Sequence, residues 1–403
     1  MTLKLDKIFN NFKNNLVFED KHVLQSNYNP SIVEHRDEQI EQVASILAPV
    51  LRGDHVSNLF IYGKTGTGKT LSIQYVSNEL LKRIKEEGGG FKLRIEYINC
   101  KLKNVSDTDY RILAELIKKL GGEVPATGLP TSQVANIFTD MLEKEKQILI
   151  IVLDEIDYAV EKISDDFLYK LLRLNTELVN SKISIIGISN DLGFLDKLNP
   201  RTRSSLSQEE IVFPPYNATQ LKDILEKRAD RAFKKNILGE GVLAKCAAYI
   251  ARENGDARRA IDLLRVAGEL AEREGVNQIV VRHLDEAKDK IERDKHIDFI
   301  KLQPKQFQIV LYTIITLIEK KKEDSVFTGD IYNEYQDLCH KVKLDVLTQR
   351  RIGDILSEFE MAGILNVNVV SKGRMGRMRE IKLSLPKEII IKAKEILRES
   401  LFY

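Results

Sequence analysis

Residues 58–70 read Asn58-Leu59-Phe60-Ile61-Tyr62-Gly63-Lys64-Thr65-Gly66-Thr67-Gly68-Lys69-Thr70, a short apolar run that passes directly into a glycine-rich loop ending in Lys-Thr. The pattern is GxxxxGK[ST], and the spacing predicts a strand before it and a helix starting near Leu71. Each residue type answers to phosphate chemistry. Gly63, Gly66 and Gly68, with Lys64, Thr65 and Thr67 between them, let backbone N–H groups curl around phosphate oxygens, and a helix N-terminus adds the positive end of its dipole. Lys69 is suited to neutralise β/γ oxygens and the Thr70 hydroxyl to hold Mg²⁺. A glycine-rich turn without a ligand is the plain alternative, and the strand-loop-helix context argues against it.

Outward from this loop, β-rich apolar runs alternate with longer stretches at helical spacing, the mark of a parallel sheet covered by helices. Strands are predicted at Asn58–Tyr62, Leu93–Asn99, Gln147–Leu153, Ile183–Ser189 and Glu210–Phe213. The unbroken run Ile148-Leu149-Ile150-Ile151-Val152-Leu153 predicts burial on both faces. Pro214-Pro215 ends the alternation, and helical periodicity then continues to about Asp294, with amphipathic stretches at Ala257–Glu272 and Val281–Arg293. In the last hundred residues, helical patterns at Lys305–Lys321, Gly329–Val342 and Leu347–Met361 precede two strands, Ile364–Val370 and Glu380–Leu385, around a glycine-rich turn. Three helices closed by a hairpin make a winged helix.

Composition narrows the function classes. Of 403 residues, 62 are Lys or Arg and 60 are Asp or Glu, so the formal net charge is only +2 and bulk charge offers nothing to nucleic acid. The 43% of hydrophobic residues supplies cores for two to three domains. No apolar stretch reaches membrane-spanning length and the first residues lack a signal core, so a soluble intracellular protein with no membrane partner is expected. Cys100, Cys246 and Cys339 are too far apart for a CxxC site and read as reduced, buried thiols. The six histidines form no HExxH or HxH pair, which disfavours a transition-metal centre.

The strand Gln147–Leu153 runs into Asp154-Glu155-Ile156-Asp157, two carboxylates at the edge where ligands of α/β sheets sit. Asp154 is suited to completing the Mg²⁺ shell and Glu155 to orienting or deprotonating a water; a solvated helix start favours acids too. Asn190, after the fourth strand, either points an amide at phosphate or water, or ends the strand in an ordinary turn. In Leu347–Met361, Ile352, Ile355, Leu356 and Phe359 fix the buried face and leave Thr348, Gln349, Arg350 and Arg351 on the exposed N-terminal turn, where recognition helices meet base edges. A capped, solvated helix start accounts for the same residues. The hairpin carries Lys372, Arg374, Arg377, Arg379 and Lys382 against the single acid Glu380, which suits backbone or minor-groove contact as well as plain solvation. Residues 301–403 hold 18 basic and 14 acidic residues, a net of +4, gathered on that one element.

The loop Gly63–Thr70, the pair Asp154-Glu155, Asn190 and Gly255-Asp256-Ala257-Arg258-Arg259-Ala260 together resemble an AAA+ ATPase. With the winged helix, and with Phe213-Pro214-Pro215-Tyr216-Asn217 and Thr127-Gly128-Leu129-Pro130-Thr131-Ser132, the chain resembles the archaeal origin-recognition and cell-division-cycle type replication initiators from Tyr28-Asn29-Pro30 to the wing. That resemblance implies an α/β fold: an AAA+ P-loop parallel sheet with helices on both faces, an all-α lid and a C-terminal winged-helix domain. It divides the chain into an N-terminal arm (1–20), an ATP-binding base (21–215) with an insertion at about 100–135, a lid (216–295) and a DNA-binding domain (296–403). It implies ATP or ADP with Mg²⁺ as cofactors. Arg258 becomes the lid arginine that reaches the γ-phosphate, Tyr216 and Arg228 line the nucleotide site, and His35-Arg36 walls the adenine pocket through its backbone.

The insertion around Gly121–Ser132, with Gly122, Thr127, Gly128, Leu129 and Pro130, becomes a second DNA contact, although an ordinary loop reads the same way. One position departs from the pattern: Ser205 stands where many AAA+ rings carry a trans arginine, with Arg201 and Arg203 nearby. Slow hydrolysis without an obligatory hexamer is therefore expected. The implied function is an ATP-dependent initiator that binds double-stranded origin DNA and helps recruit an MCM-type replicative helicase, with or without initiator paralogues. It is cytoplasmic and chromosome-associated, and ATP acts as a switch. A branch-migration motor and a signalling ATPase whose winged helix never meets DNA share the same parts.

Overall fold

The computed structural model describes residues 17–25, 28–30, 32–87, 90–102, 108–125, 128–206, 208–371 and 377–402. The buried apolar runs of the sequence become five parallel strands: β1 (Asn58–Tyr62), β2 (Lys92–Asn99), β3 (Gln147–Asp154), β4 (Ser181–Ser189) and β5 (Gln208–Val212), in the order β2-β3-β4-β1-β5. Alternation sorts β3 onto two cores. Leu149, Ile151 and Leu153 join Phe60, Phe138 and Phe194 on one face, while Ile148, Ile150 and Val152 join Leu59, Ile61, Ile73 and Phe213 on the other. Both faces are covered, which is why the run has no polar position.

The insertion between β2 and β3 is anchored rather than loose. Its helices Asp109–Lys119 and Thr131–Glu143 bury Ile112, Leu116, Ile117, Val134, Phe138 and Leu142 in the first of these cores. They hold Gly128–Pro130 between them.

After β5 come the helices Ala218–Ala232, Val242–Glu253 and Ala257–Glu274. The sequence sets residues 1–20 aside as an arm; within it Val17 and Phe18 are buried, and so are Val23 and Leu24 just after it. Phe18 stacks on Phe233 with ring centroids 5.2 Å apart, the Glu19 amide donates to Ala232 O at 2.8 Å, and Lys21 pairs with Glu269 at 2.9 Å. This strap therefore belongs to the lid. The reason is hydrophobic: Phe18 completes the cover of the small face at Gly268, where an added Cβ would lie 2.7 Å from the Phe18 ring and 2.9 Å from the Phe233 ring.

The chain divides into two units, Met1–Leu284 and Asp285–Tyr403, and the division falls inside the helix Val281–Leu302. In the second unit, helices Lys305–Lys321, Thr328–Val342 and Gln349–Met361 are joined by a three-stranded sheet, β6 (Ser325–Phe327), β8 (Arg377–Leu383) and β7 (Leu365–Ser371) in that order. Ile352, Ile355, Leu356 and Phe359 face its core, as their spacing predicts. Two elements go beyond the sequence reading: the short strand β6, and the helix Lys387–Phe402, which adds Ile389, Ala393 and Leu397 to the core. All three cysteines are buried, and burial pushes the Cys246 thiol up to about 12. No helix among the described residues is long and apolar enough to cross a membrane.

Truncating Phe18 to Ala should destabilise the lid by about 3 kcal/mol. Amide exchange across 218–274 should accelerate while β3 amides keep their protection; equal loss in both would show that the strap is not specific to the lid.

Candidate nucleotide site and nucleic-acid interface

Sheet register alone gathers the candidate residues of the base. Tyr62 pairs with Ser189, and Asp154 pairs with both Asn99 and Ile188. The Gly63 loop, the acidic pair and Asn190 thus leave the same edge of the sheet. The helix after the loop begins at Lys69, two residues earlier than its periodicity suggests, and runs to Glu87. That places Lys69 and Thr70 in its first turn.

Lys69 is 6% exposed. Its ammonium donates to Gly63 O at 2.6 Å, Lys64 O at 2.8 Å and Asn190 Oδ1 at 2.9 Å. Burial lowers its pKa to about 8; the Asp154 carboxylate opposes the shift and the Arg258 guanidinium adds to it. Thr70 Oγ1 donates to Asp154 Oδ2 at 2.9 Å, and the Glu155 amide donates to Asp154 Oδ1 at 3.0 Å. Glu155 adopts left-handed backbone (φ 55°, ψ 47°), which costs a non-glycine residue on the order of 1 kcal/mol. Its Oε2 lies 3.7 Å from Lys101 Nζ.

The lid meets the loop directly. Gly66 O accepts from the Ala257 amide at 3.2 Å. Asp256 caps the helix Ala257–Glu274 by accepting from the Arg258 and Arg259 amides, and a Cβ on Gly66 would fall 1.7 Å from Asp256 Oδ1. Only glycine fits there, in left-handed backbone of φ +72°. Arg258 is exposed at this helix start.

Tyr216 is buried, with its hydroxyl donating to Glu34 O at 3.4 Å. The Arg228 guanidinium donates to Val23 O at 3.1 Å and lies 4.4 Å from the Tyr28 ring centroid, so it faces the N-terminal strap. Beside the trans-arginine position, Ser205 Oγ donates to Arg201 O, Arg203 pairs with Asp196 at 2.9 Å, and Arg201 lies over the Tyr169 ring at 4.3 Å.

The sequence reading missed the Arg36 side chain. It is 2% exposed, donates through Nε to Thr67 O at 2.8 Å and through a terminal nitrogen to Pro214 O at 2.6 Å, and lies 3.8 Å from the Tyr216 ring centroid. Burial lowers its pKa, with Tyr216 pulling the other way. One signal was available: Arg36 stands at the N-cap of the helix Asp37–Leu47, where a cation opposes the helix dipole and needs another reason to be there.

These residues fit Mg-nucleotide on the chemistry of the donor set and the shape of the loop. A hydroxyl and a carboxylate are oxygen ligands of the hard-cation type. The loop is packed so closely on the protein that only glycine fits at two of its positions: a Cβ on Gly68 would lie 2.8 Å from the Tyr216 hydroxyl and one on Gly63 2.5 Å from Phe213 O.

In the second unit, the first turns of Thr328–Val342 and Gln349–Met361 and strand β8 enclose a groove of about 490 Å³, lined among others by Gln349, Arg350, Gly353 and Arg379. Arg379 reaches Gly353 O at 3.4 Å. Thr348 is used as the helix cap, and Arg351 pairs with Asp354 at 3.6 Å. Lys372, Arg374 and Thr127 lie outside the described residues, and of Arg377 only the backbone, in β8, is described. In the insertion, Gly128 and Pro130 are exposed while Leu129 packs on the core.

A parallel P-loop sheet, a helical lid touching the loop and a winged helix define an AAA+ ATPase with a winged-helix domain. Residues 33–186 match the family model of the AAA ATPase domain, 222–289 that of the Cdc6 AAA+ ATPase-type lid domain, and 298–393 that of the CDC6 C-terminal winged helix domain. The chain is 48% identical over 388 residues to an ORC1-type DNA replication protein of Pyrococcus furiosus, covering 95% of this chain and 91% of the relative. It is 49% identical over 373 residues to ORC1-type DNA replication protein 1 of Methanosarcina mazei, covering 92% and 89%. Among solved structures, the Aeropyrum pernix ORC1 protein in complex with DNA matches with a TM-score of 0.81 at 39% identity, covering 96% of this chain and 98% of that one. The chain belongs to the ORC1-type DNA replication proteins.

The Lys69 environment predicts proton-linked nucleotide binding. With its pKa lowered to about 8, Lys69 is expected to release its proton above that pH in the nucleotide-free protein and to keep it when its ammonium is held by phosphate. Affinity should therefore fall as pH rises through 8, with proton uptake approaching one per nucleotide. Titration calorimetry near pH 9 in buffers of different ionisation enthalpy measures that uptake; no difference between buffers would contradict it.

Proposed function

We propose that this chain is an ATP-dependent replication initiator that binds double-stranded origin DNA, with ATP binding and slow hydrolysis acting as a switch. The observation that carries the ATP part is the single network in which Lys69 bonds to Asn190 and Thr70 to Asp154 at the loop's mouth. Gly63–Thr70 cradle the phosphates through their amides, and Lys69 neutralises the β- and γ-oxygens. Thr70 and Asp154 are the residues that would hold Mg²⁺, which when bound supplies further neutralisation of phosphate charge. Asn190 orients the γ-phosphate or the attacking water. Glu155 aligns that water and accepts its proton on a carboxylate oxygen. Arg258, at the start of a lid helix that already touches Gly66, reads the γ-phosphate and so makes lid position depend on which nucleotide is bound. Tyr216 flanks the hinge, and Arg228 braces the strap behind it.

On the DNA side, the groove carries Gln349, Arg350 and Arg379, side chains suited to base edges and phosphates, and the solved Aeropyrum relative is a DNA complex. Thr348 and Arg351 fix the helix start, the basic tip with Lys372, Arg374 and Arg377 extends the contact, and the insertion loop Thr127–Pro130 provides a second one. The DNA-bound initiator then recruits the MCM-type helicase, with or without initiator paralogues, on the chromosome in the cytoplasm. Slow turnover follows from the Ser205 position: Arg203 is paired with Asp196 and Arg201 is held on Tyr169, so neither is presented as a ready trans group.

Lys69→Ala should abolish binding of radiolabelled ATP, and Glu155→Gln should bind ATP normally while losing turnover by at least about 100-fold. An Arg350→Ala/Arg379→Ala double variant should weaken origin DNA binding and lower the slope of log affinity against log salt by about 1 to 2. An unchanged slope would remove the groove from the DNA interface.

A further inference from the structure

The contacts around the P-loop close on themselves. Thr67 O is held by Arg36 Nε, and the same guanidinium holds Pro214 O at the entry to the lid and lies over the Tyr216 ring. The Tyr216 amide donates to Gly255 O at 3.2 Å, and a Cβ on Gly255 would lie 2.5 Å from Tyr216 O. Two residues on, the Ala257 amide donates back to Gly66 O. The path therefore runs from loop to Arg36, to hinge, to lid helix, and back to the residue beside the one where it began.

Arg36 is the member of this circuit that a core would not choose for stability. Its hydrogen bonds go to backbone carbonyls, those of Thr67, Pro214 and its own neighbour His35, and it forms no ion pair with a carboxylate among the described residues. A buried cation without a carboxylate is costly, and an apolar side chain of similar volume would fill the space more cheaply. What a methionine could not do is hold two carbonyls on two segments at a fixed separation while placing a cation over the Tyr216 ring.

We propose that Arg36 is a positioning residue for nucleotide turnover: it sets the shape of the P-loop through Thr67 and, through Pro214 and Tyr216, ties that shape to the position of the lid. It touches no reacting atom; it acts through the loop and the hinge. The inference rests on the ATPase reading given above and adds the element that makes loop and lid move together.

The test compares wild type, Arg36→Lys and Arg36→Met for binding of a fluorescent N-methylanthraniloyl ATP, for kcat and KM, and for amide exchange at 63–70 and 254–260 with and without ATP. A lysine keeps the charge but offers one ammonium instead of a planar fork. Arg36→Lys should melt close to wild type, yet bind the analogue and turn over about 10- to 100-fold less well. ATP should still slow exchange in its P-loop but no longer at the Ala257 amide. Arg36→Met should show the same uncoupling, and if it does not fold, Arg36→Lys alone decides.

Wild-type affinity, kcat and paired protection in Arg36→Lys would overturn the proposal. So would exchange that rises evenly across the first unit with activity lost only in proportion, because that pattern marks a residue needed merely for folding. If wild type itself fails to bind the analogue, the nucleotide reading falls, and this inference with it.

Discussion

A desolvated ammonium cannot sit at the end of a parallel sheet unless oxygens converge on it. Lys69 is nearly inaccessible, and its partners come from two separate segments: the carbonyls of its own loop and the side chain of Asn190 beyond β4. That requirement fixes the arrangement around it. It demands that β1 and β4 be neighbours, in the register that pairs Tyr62 with Ser189, and that β3 end level with them so that Asp154 reaches Thr70. The strand order β2-β3-β4-β1-β5 satisfies this, and the two apolar cores on either face hold the strands to it.

The lid is fastened to the loop rather than merely adjacent to it. Gly66 lacks a side chain because the Asp256 carboxylate occupies the space where one would be. The same carboxylate caps the lid helix, so the group that starts the helix also fixes its distance from the phosphate loop. In the second unit the division of labour is similar. Thr348 and Arg351 are spent on the helix start, which leaves Gln349 and Arg350 to face the groove.

Much of this was legible in residue order, for physical reasons that can be named. Strands buried on both faces have apolar runs between their ends, so β1 and β3 stood out, and the phosphate loop declares itself through glycines that only a close approach requires. The 3-4-7 spacing of Ile352, Ile355, Leu356 and Phe359 fixed the face of the helix they belong to. What stayed hidden depends on distant partners. Arg36 looks like any helix-start residue until Thr67 and Pro214, 31 and 178 residues away, are placed beside it. The strap around Phe18 has too little periodicity to stand out, because its burial is supplied by Phe233 and Gly268. The strand β6, three residues long, exists only because β8 offers it an edge.

The strap also dictates an order of assembly. Arg228 holds Val23 across 205 residues of chain, and the ATPase sheet lies wholly within that span. Closing so long a loop in an open chain costs about 5 kcal/mol in entropy, and far less once the intervening sheet has brought its ends together. During synthesis the segment Val17–Leu24 must wait for the lid helices to emerge, so the base folds before the lid is complete. A fragment beginning at the phosphate loop would keep all three lid helices that follow β5 and still lack the piece that covers them.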